Sequence, residues 1–216
     1  LVAVAITDHV TIDSNRISNL TELASGITVF PGVELRCDKG TKNLHIIIIF
    51  PNGDKKNLEN LSNKFDVFTQ DEGKPSGIKS EKNWKEVIYW DFEKIIEFAK
   101  KNNGIISIHA GKSKNGLEGE IPNTNKFLQE IKKEIAGKVD ILEINNTKEF
   151  DSYQEIIFKE IVRKPLVICS DNHDPRDYKI KEKLWIKSNP TFNGLKQVLY
   201  HPEERIYIGD TPPLLD

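Results

Sequence analysis

The chain has 216 residues, 38% of them hydrophobic and 30% charged, which suits one sizeable folded core and excludes a disulfide-stapled miniprotein. Its 31 Lys and Arg against 33 Asp and Glu leave a net charge of −2, which rules out a polycationic tail for nucleic acid but not a local basic patch. No apolar run approaches the roughly 18 residues of a membrane span, the cysteines Cys37 and Cys169 show no CxxC spacing, and no basic secretory leader opens the chain, so a reducing cytoplasm is the expected location and no membrane partner is expected.

Residues 1–7 (LVAVAIT) are a continuous Val- and Ile-rich run, the pattern of a buried strand, and they lead into Asp8-His9. A short second strand is predicted over 27–30 (ITVF), running into Pro31-Gly32-Val33-Glu34. His45 opens the strongest strand, 45–50 (HIIIIF). Residues 52–90 are polar, rich in Lys, Glu and Asn, and read as an insertion or variable region packed outside the core, or as a solvated loop. Over 91–102 the apolar residues Phe92, Ile95, Ile96 and Ala99 follow helical spacing behind Asp91, a good N-cap. Strands are predicted over 104–109 (GIISIH), 139–144 (VDILEI) and 165–169 (PLVIC), and helices over 123–136, 151–162 and 192–200. Alternating strands and helices with continuous apolar strands predict a mostly parallel α/β sheet covered by helices, either a small or distorted (β/α) barrel or a doubly wound sheet. No linker or repeat divides residues 1–216, so a single domain is expected.

The polar residues that end these strands carry the chemical signal. His9 and His109 close strands, His45 opens one, Glu143 lies on another, and the fourth histidine-bearing segment is SDNHD, residues 170–174. Taken singly, a strand-end histidine is more often a structural hydrogen-bonding group, and Glu34 beside a Pro-Gly pair is a plausible surface carboxylate. Taken together, they would converge at the mouth of an α/β barrel. Imidazoles and carboxylates are the ligand set for Zn²⁺, Mn²⁺ or Fe²⁺, and clustered ions of this kind hydrolyse phosphoesters. Asp8 would then orient a neighbouring imidazole. Cys169 on a buried strand reads as an inert core thiol.

The runs AITDH (5–9), PGVEL (31–35), HIIII (45–49), ISIH (106–109) and SDNHD (170–174) resemble the PHP (polymerase and histidinol phosphatase) domain, in that family's order across nearly the whole chain. The resemblance implies a distorted seven-stranded, TIM-like (β/α)7 barrel holding two or three divalent ions. It implies His9, Glu34, His45, His109, Asp171 and His173 as metal ligands, with Glu34, His109 and Asp171 central to catalysis and Glu34 a candidate bridging carboxylate. Arg36 and Lys112 become candidates for holding substrate phosphate, and Glu143 and Asp8 supporting residues of the same site. The family's earlier HxH motif should precede TDH, yet only seven residues precede Asp8. One strand and two histidines are therefore expected to be missing, and one metal position to be incomplete.

The run WIKSNPTFNGL (185–195), continuing to HPEER (201–205), is similar to the end of the PHP module in TrlF-type proteins, where an SMC-like ATPase follows. That likeness implies an ATPase region as partner and nuclease-like work on nucleic acid. No GxxxxGK[ST] occurs in these residues, so a nucleotide site is expected elsewhere. Metal-dependent phosphoester hydrolysis by an activated water is the leading expectation. The alternatives are a non-catalytic PHP scaffold beside an ATPase and a small-molecule phosphatase.

Overall fold

The computed structural model describes residues 2–41, 44–72, 88–111, 115–122, 124–150, 153, 164–168, 176 and 182–213. They form a mixed α/β fold in two units, Leu1–Ile106 and Ser107–Asp216. Among the described residues no helix is long and apolar enough to cross a membrane.

In the first unit, β1 (Ala3–His9) pairs in parallel with β2 (Thr28–Arg36), and β2 pairs antiparallel with β3 (His45–Ile49). The parallel crossover is made by α1 (Ser14–Leu23), capped by Asp13, whose side chain accepts a hydrogen bond from the Arg16 amide. One face of β2 and β3 is fully apolar: Val33, Leu35, Ile46 and Ile48 are at most 1% exposed. The other face carries the residues of alternate parity, Glu34, Arg36, His45 and Ile47, all half-buried.

Strand β2 is longer than the sequence predicts. Pro31 and Gly32 do not break it; they lie inside the ladder opposite Ile6 and Thr7 of β1. A Cβ on Gly32 would stand 2.8 Å from both the Ile48 carbonyl oxygen and the Thr7 methyl. Glycine is thus required here for close approach of its neighbours, not for a turn. The crowding marks a tight curl, and β1 touches β3 although β2 runs between them.

Residues 52–90 include α2 (Lys55–Asp71), a 17-residue helix where the composition suggested a packed insertion or a loop. Asp54 caps it, and among its residues only Leu58 and Phe65 are buried, one heptad apart. Helix α3 (Phe92–Lys101) follows its prediction closely, from the Asp91 cap to Asn102. Phe98 of α3 stacks on Phe68 of α2 at 4.6 Å and meets Phe65 edge-on at 5.8 Å, so an aromatic cluster joins the two helices. The segment before α3 returns to β2: Cys37 and Trp90 form a parallel bridge, and the Trp90 amide donates to the Arg36 carbonyl.

Strand β4 (Ile105–His109) starts in the first unit and ends in the second. Within the second unit its end pairs in parallel with β5 (Ile141–Ile144), and β5 with β6 (Leu166–Ile168). Helices α4 (Leu117–Glu120) and α5 (Lys126–Lys138) connect β4 to β5. The Lys164 ammonium caps the end of α5 by donating to the Gly137 and Val139 carbonyls. An antiparallel ribbon missed by the sequence reading joins β7 (Leu184–Ile186) to β8 (Ile206–Ile208), with α6 (Phe192–Gln197) and α7 (Pro202–Arg205) between them. The helix predicted over 151–162 lies outside the described residues except for Tyr153.

Candidate metal centre

Three of the sequence-predicted ligands meet in the first unit. His9 stands directly opposite Glu34 in the parallel β1–β2 register, so both side chains leave the same face. Strand β3 runs the other way, which brings its first residue, His45, beside the end of β2 and opposite Arg36. His45 therefore reaches the same end of the sheet as His9, although one opens a strand and the other closes one.

The Glu34 carboxylate lies between the two imidazoles. Its Oε1 is 2.5 Å from His45 Nδ1, and its Oε2 is 3.6 Å from His9 Nδ1. The imidazole rings are 6.1 Å apart, centre to centre, and nearly perpendicular. With Glu34 ionised and His45 neutral, the shared proton belongs on His45 Nδ1, which leaves a lone pair on Nε2. Nε2 is buried and has no hydrogen-bond partner among the described residues.

In residue type, this set matches the donors of a divalent transition metal. Two imidazoles and a carboxylate suit Zn²⁺, Mn²⁺ or Fe²⁺, and a carboxylate on one ring nitrogen sets the other up as a ligand. As they are placed, no group of three or more His, Cys, Asp or Glu side chains among the described residues could hold a metal ion. Glu34 and His45 satisfy one another directly, so an ion bound to Glu34 would have to share or displace that hydrogen bond.

Directly after His9, Val10 adopts φ +56, a left-handed backbone that a β-branched residue rarely takes. Its amide donates to the Glu34 carbonyl at 3.0 Å, which ties the turn to the strand that carries the carboxylate. The sequence offers no sign of this strained position.

Asp8 leaves the opposite face of β1 from His9. Its carboxylate accepts two hydrogen bonds from the Arg16 guanidinium of α1, at 2.7 and 2.8 Å. Arg36 shares the face of Glu34, two residues along β2.

In the second unit, His109 of β4 stands opposite Glu143 of β5. The Gly111 amide donates to His109 Nδ1 at 3.1 Å, which places the ring proton on Nε2, 3.0 Å from Asn145 Oδ1. Glycines at 111 and 116 crowd the ring: a Cβ on Gly111 would stand 2.6 Å from His109 Cε1, and one on Gly116 would stand 2.7 Å from Nδ1. Glu143 is buried and accepts from Ser107 Oγ at 2.7 Å. Asn145 and Ser107 were missed as partners. The two-residue spacing of Ser107 and His109 along one strand is the signal that could have found Ser107. Lys112, Asp171 and His173 lie outside the described residues.

No family model matches the chain, and no curated protein matches it. Solved structures do. One is an amidohydrolase from Chromobacterium violaceum with bound sulfate and no metal, at 13% identity and a TM-score of 0.53, covering 95% of this chain and 87% of that one. Another, provisionally named a metal-dependent phosphoesterase, comes from Bifidobacterium adolescentis, at 11% identity and a TM-score of 0.51, covering 93% of this chain and 86% of that one. At such identities the likeness is one of fold.

Proposed function

We propose that this protein is a metal-dependent phosphoesterase of the PHP type, a phosphoric ester hydrolase with nuclease-like action. The observation that carries the reading is the Glu34 carboxylate held between His9 and His45 on one face of the sheet. Support comes also from the fold shared with two hydrolases, one of them provisionally named a metal-dependent phosphoesterase.

His9, Glu34 and His45 would hold a divalent ion once the Glu34–His45 hydrogen bond gives way to it, and the chemistry of that ion when bound is to polarise a phosphoryl oxygen and to acidify water. Glu34 fixes the His45 ring by its hydrogen bond and spreads its negative charge over both imidazoles. Arg36, on the same face, is the proposed anchor for a phosphate oxygen. His109, with its proton fixed on Nε2, and the supporting Glu143 are assigned to the same chemistry, as are Asp171 and His173. Lys112 remains a second proposed phosphate anchor. Two or three ions of Zn, Mn or Fe, a barrel of the PHP kind, an attached ATPase region and a cytoplasmic location complete the proposal.

Metal content by elemental analysis, with turnover on bis(p-nitrophenyl) phosphate, mononucleotides, oligonucleotides and sugar phosphates, tests it. Wild-type protein should bind a divalent metal and cleave at least one phosphodiester. His45→Ala, Asp171→Ala and His173→Ala should each abolish that turnover while the protein stays folded. A protein that binds no metal and cleaves nothing would instead be a scaffold. That second reading is favoured by His109, both of whose ring nitrogens are engaged by Gly111 and Asn145.

A further inference from the structure

The β7–β8 ribbon presents an aromatic and basic face that the metal centre does not use. Antiparallel register sets Trp185 directly across from Tyr207. The ladder continues on both sides: the Lys187 amide donates to the Arg205 carbonyl at 2.8 Å, and the Gly209 amide to the Lys183 carbonyl at 3.0 Å. Lys183, Trp185 and Lys187 therefore share one face of the ribbon with Arg205, Tyr207 and Gly209. Leu184, Ile186, Ile206 and Ile208 point the other way and are less exposed.

Both rings remain open to solvent, Trp185 at 42% and Tyr207 at 39% exposure. The Trp185 ring is also held in place. Trp185 Nε1 donates to the Gly209 carbonyl at 2.9 Å. A Cβ on Gly209 would stand 2.9 Å from the Tyr207 hydroxyl, so the absence of a side chain there makes room for the phenol ring. Gly209 has φ +151, a backbone that few other residues adopt. A fixed, exposed ring such as Trp185 loses little entropy when something stacks on it.

We propose that this face binds single-stranded nucleic acid, with bases stacked on Trp185 and Tyr207 and phosphates held by Lys183, Lys187 and Arg205. As a statement about substrate it rests on the phosphoesterase reading; as a binding surface it stands without it. Charge complementarity selects this occupant. Three cations flank two aromatic rings, the combination that tracks a phosphate backbone while accepting any base. Asp210 lies 3.4 Å from Lys183, but both are exposed, so the pair is weak and a phosphate can compete for the ammonium. The Arg205 guanidinium gives one N–H to the Lys187 carbonyl at 3.0 Å. Its Nε is buried without a partner among the described residues, so its remaining terminal N–H groups are the ones available to phosphate.

The test is fluorescence anisotropy of the protein with a fluorescein-labelled oligothymidylate, and with an abasic phosphodiester of equal length, in EDTA across a salt series. EDTA removes hydrolysis from the measurement, so a failed metal reading and a failed binding surface give different results. The oligothymidylate should bind more tightly than the abasic strand. Its log affinity should fall with log salt at a slope near about −2, the value for three phosphate contacts on a single strand. Trp185→Ala should weaken binding by about fivefold or more, and Trp185→Phe should restore most of it. Lys183→Ala with Lys187→Ala should flatten the salt slope, while thermal melts confirm that each variant is folded. Equal affinity for the abasic strand, or wild-type affinity in folded Trp185→Ala, would overturn the proposal. So would sedimentation showing a self-associated protein that Trp185→Ala disperses, because the face would then belong to a second copy of the chain.

Discussion

His9 and Glu34 face one another across the parallel β1–β2 pair, and the antiparallel return of β3 adds His45 to the same face. Strands two positions apart in a flat sheet are separated by about 9–10 Å. The His9 and His45 rings lie closer, 6.1 Å apart, each turned toward the Glu34 carboxylate between them, on a sheet that Gly32 lets pack tightly.

Glu34→Gln keeps the shape of the side chain and removes the charge that both histidines face. Divalent-metal affinity should fall by at least about tenfold, the usual consequence of disturbing a carboxylate–histidine ligand pair. Titration calorimetry with Zn²⁺ or Mn²⁺ reads this directly, with circular dichroism as the check on folding. Unchanged affinity would remove Glu34 from the centre.

Gly32→Ala should destabilise the protein by about 1–3 kcal/mol, because the new methyl meets the Ile48 carbonyl oxygen, a backbone atom that cannot swing aside. Gly137→Ala is the opposite case. Gly137 lies in the last turn of α5 with nothing within 4 Å of an added Cβ. Alanine there should stabilise by about 0.5–1 kcal/mol through helix propensity. Denaturant melts of the two variants should move in opposite directions.

The strands were legible where side chains repeat a simple pattern. The isoleucine run of β3, and the Asp91 cap and apolar stripe of α3, lie where the sequence places them. Strand β2 was cut short because a Pro-Gly pair ordinarily signals a turn, whereas here the glycine answers crowding from strands distant in sequence. Helix α1 buries only Ile17 and Ser18, and α2 only Leu58 and Phe65, among their described residues, so neither carries a strong stripe. The strands β7 and β8 have three residues each, too few for any periodicity to register. At the site, residue types pointed to His9, Glu34 and His45. Which oxygen meets which imidazole, and the fixed tautomer of His109, depend on register and on partners such as Gly111 and Asn145 that no motif contains.

The second unit holds a buried ion pair that the sequence did not flag. Lys132 of α5 donates to Glu118 of α4, with side-chain exposures of 3% and 8%. Lys132→Met removes the cation and leaves Glu118 among buried groups, so stability should fall by about 3–5 kcal/mol. Adding Glu118→Gln should recover much of that loss, because the side chain left without Lys132 is then neutral. A double-mutant cycle in urea measures both steps. Equal stability of Lys132→Met and wild type would show that solvent reaches the pair in solution.

Cys37 is buried at the end of β2, and burial pushes its thiol up from 9.0 to about 12. The thiolate is the reactive form, so at pH 8 the native thiol should be alkylated much more slowly than in the unfolded chain, before any steric protection is added. The sign for stability follows from the same shift. A folded-state value above the unfolded one contributes stability that is fully present below pH 9.0 and is lost as pH rises toward 12. Iodoacetamide labelling followed by peptide mass spectrometry reports Cys37 separately from Cys169. Cys37 should stay unlabelled in native protein at pH 8 and label quickly in urea. Alkaline melts should then show Cys37→Ala losing less stability between pH 9 and pH 11 than wild type does. Rapid native labelling of Cys37 at pH 8 would mean that the β2 end and the Trp90 segment that bridges it open readily in solution.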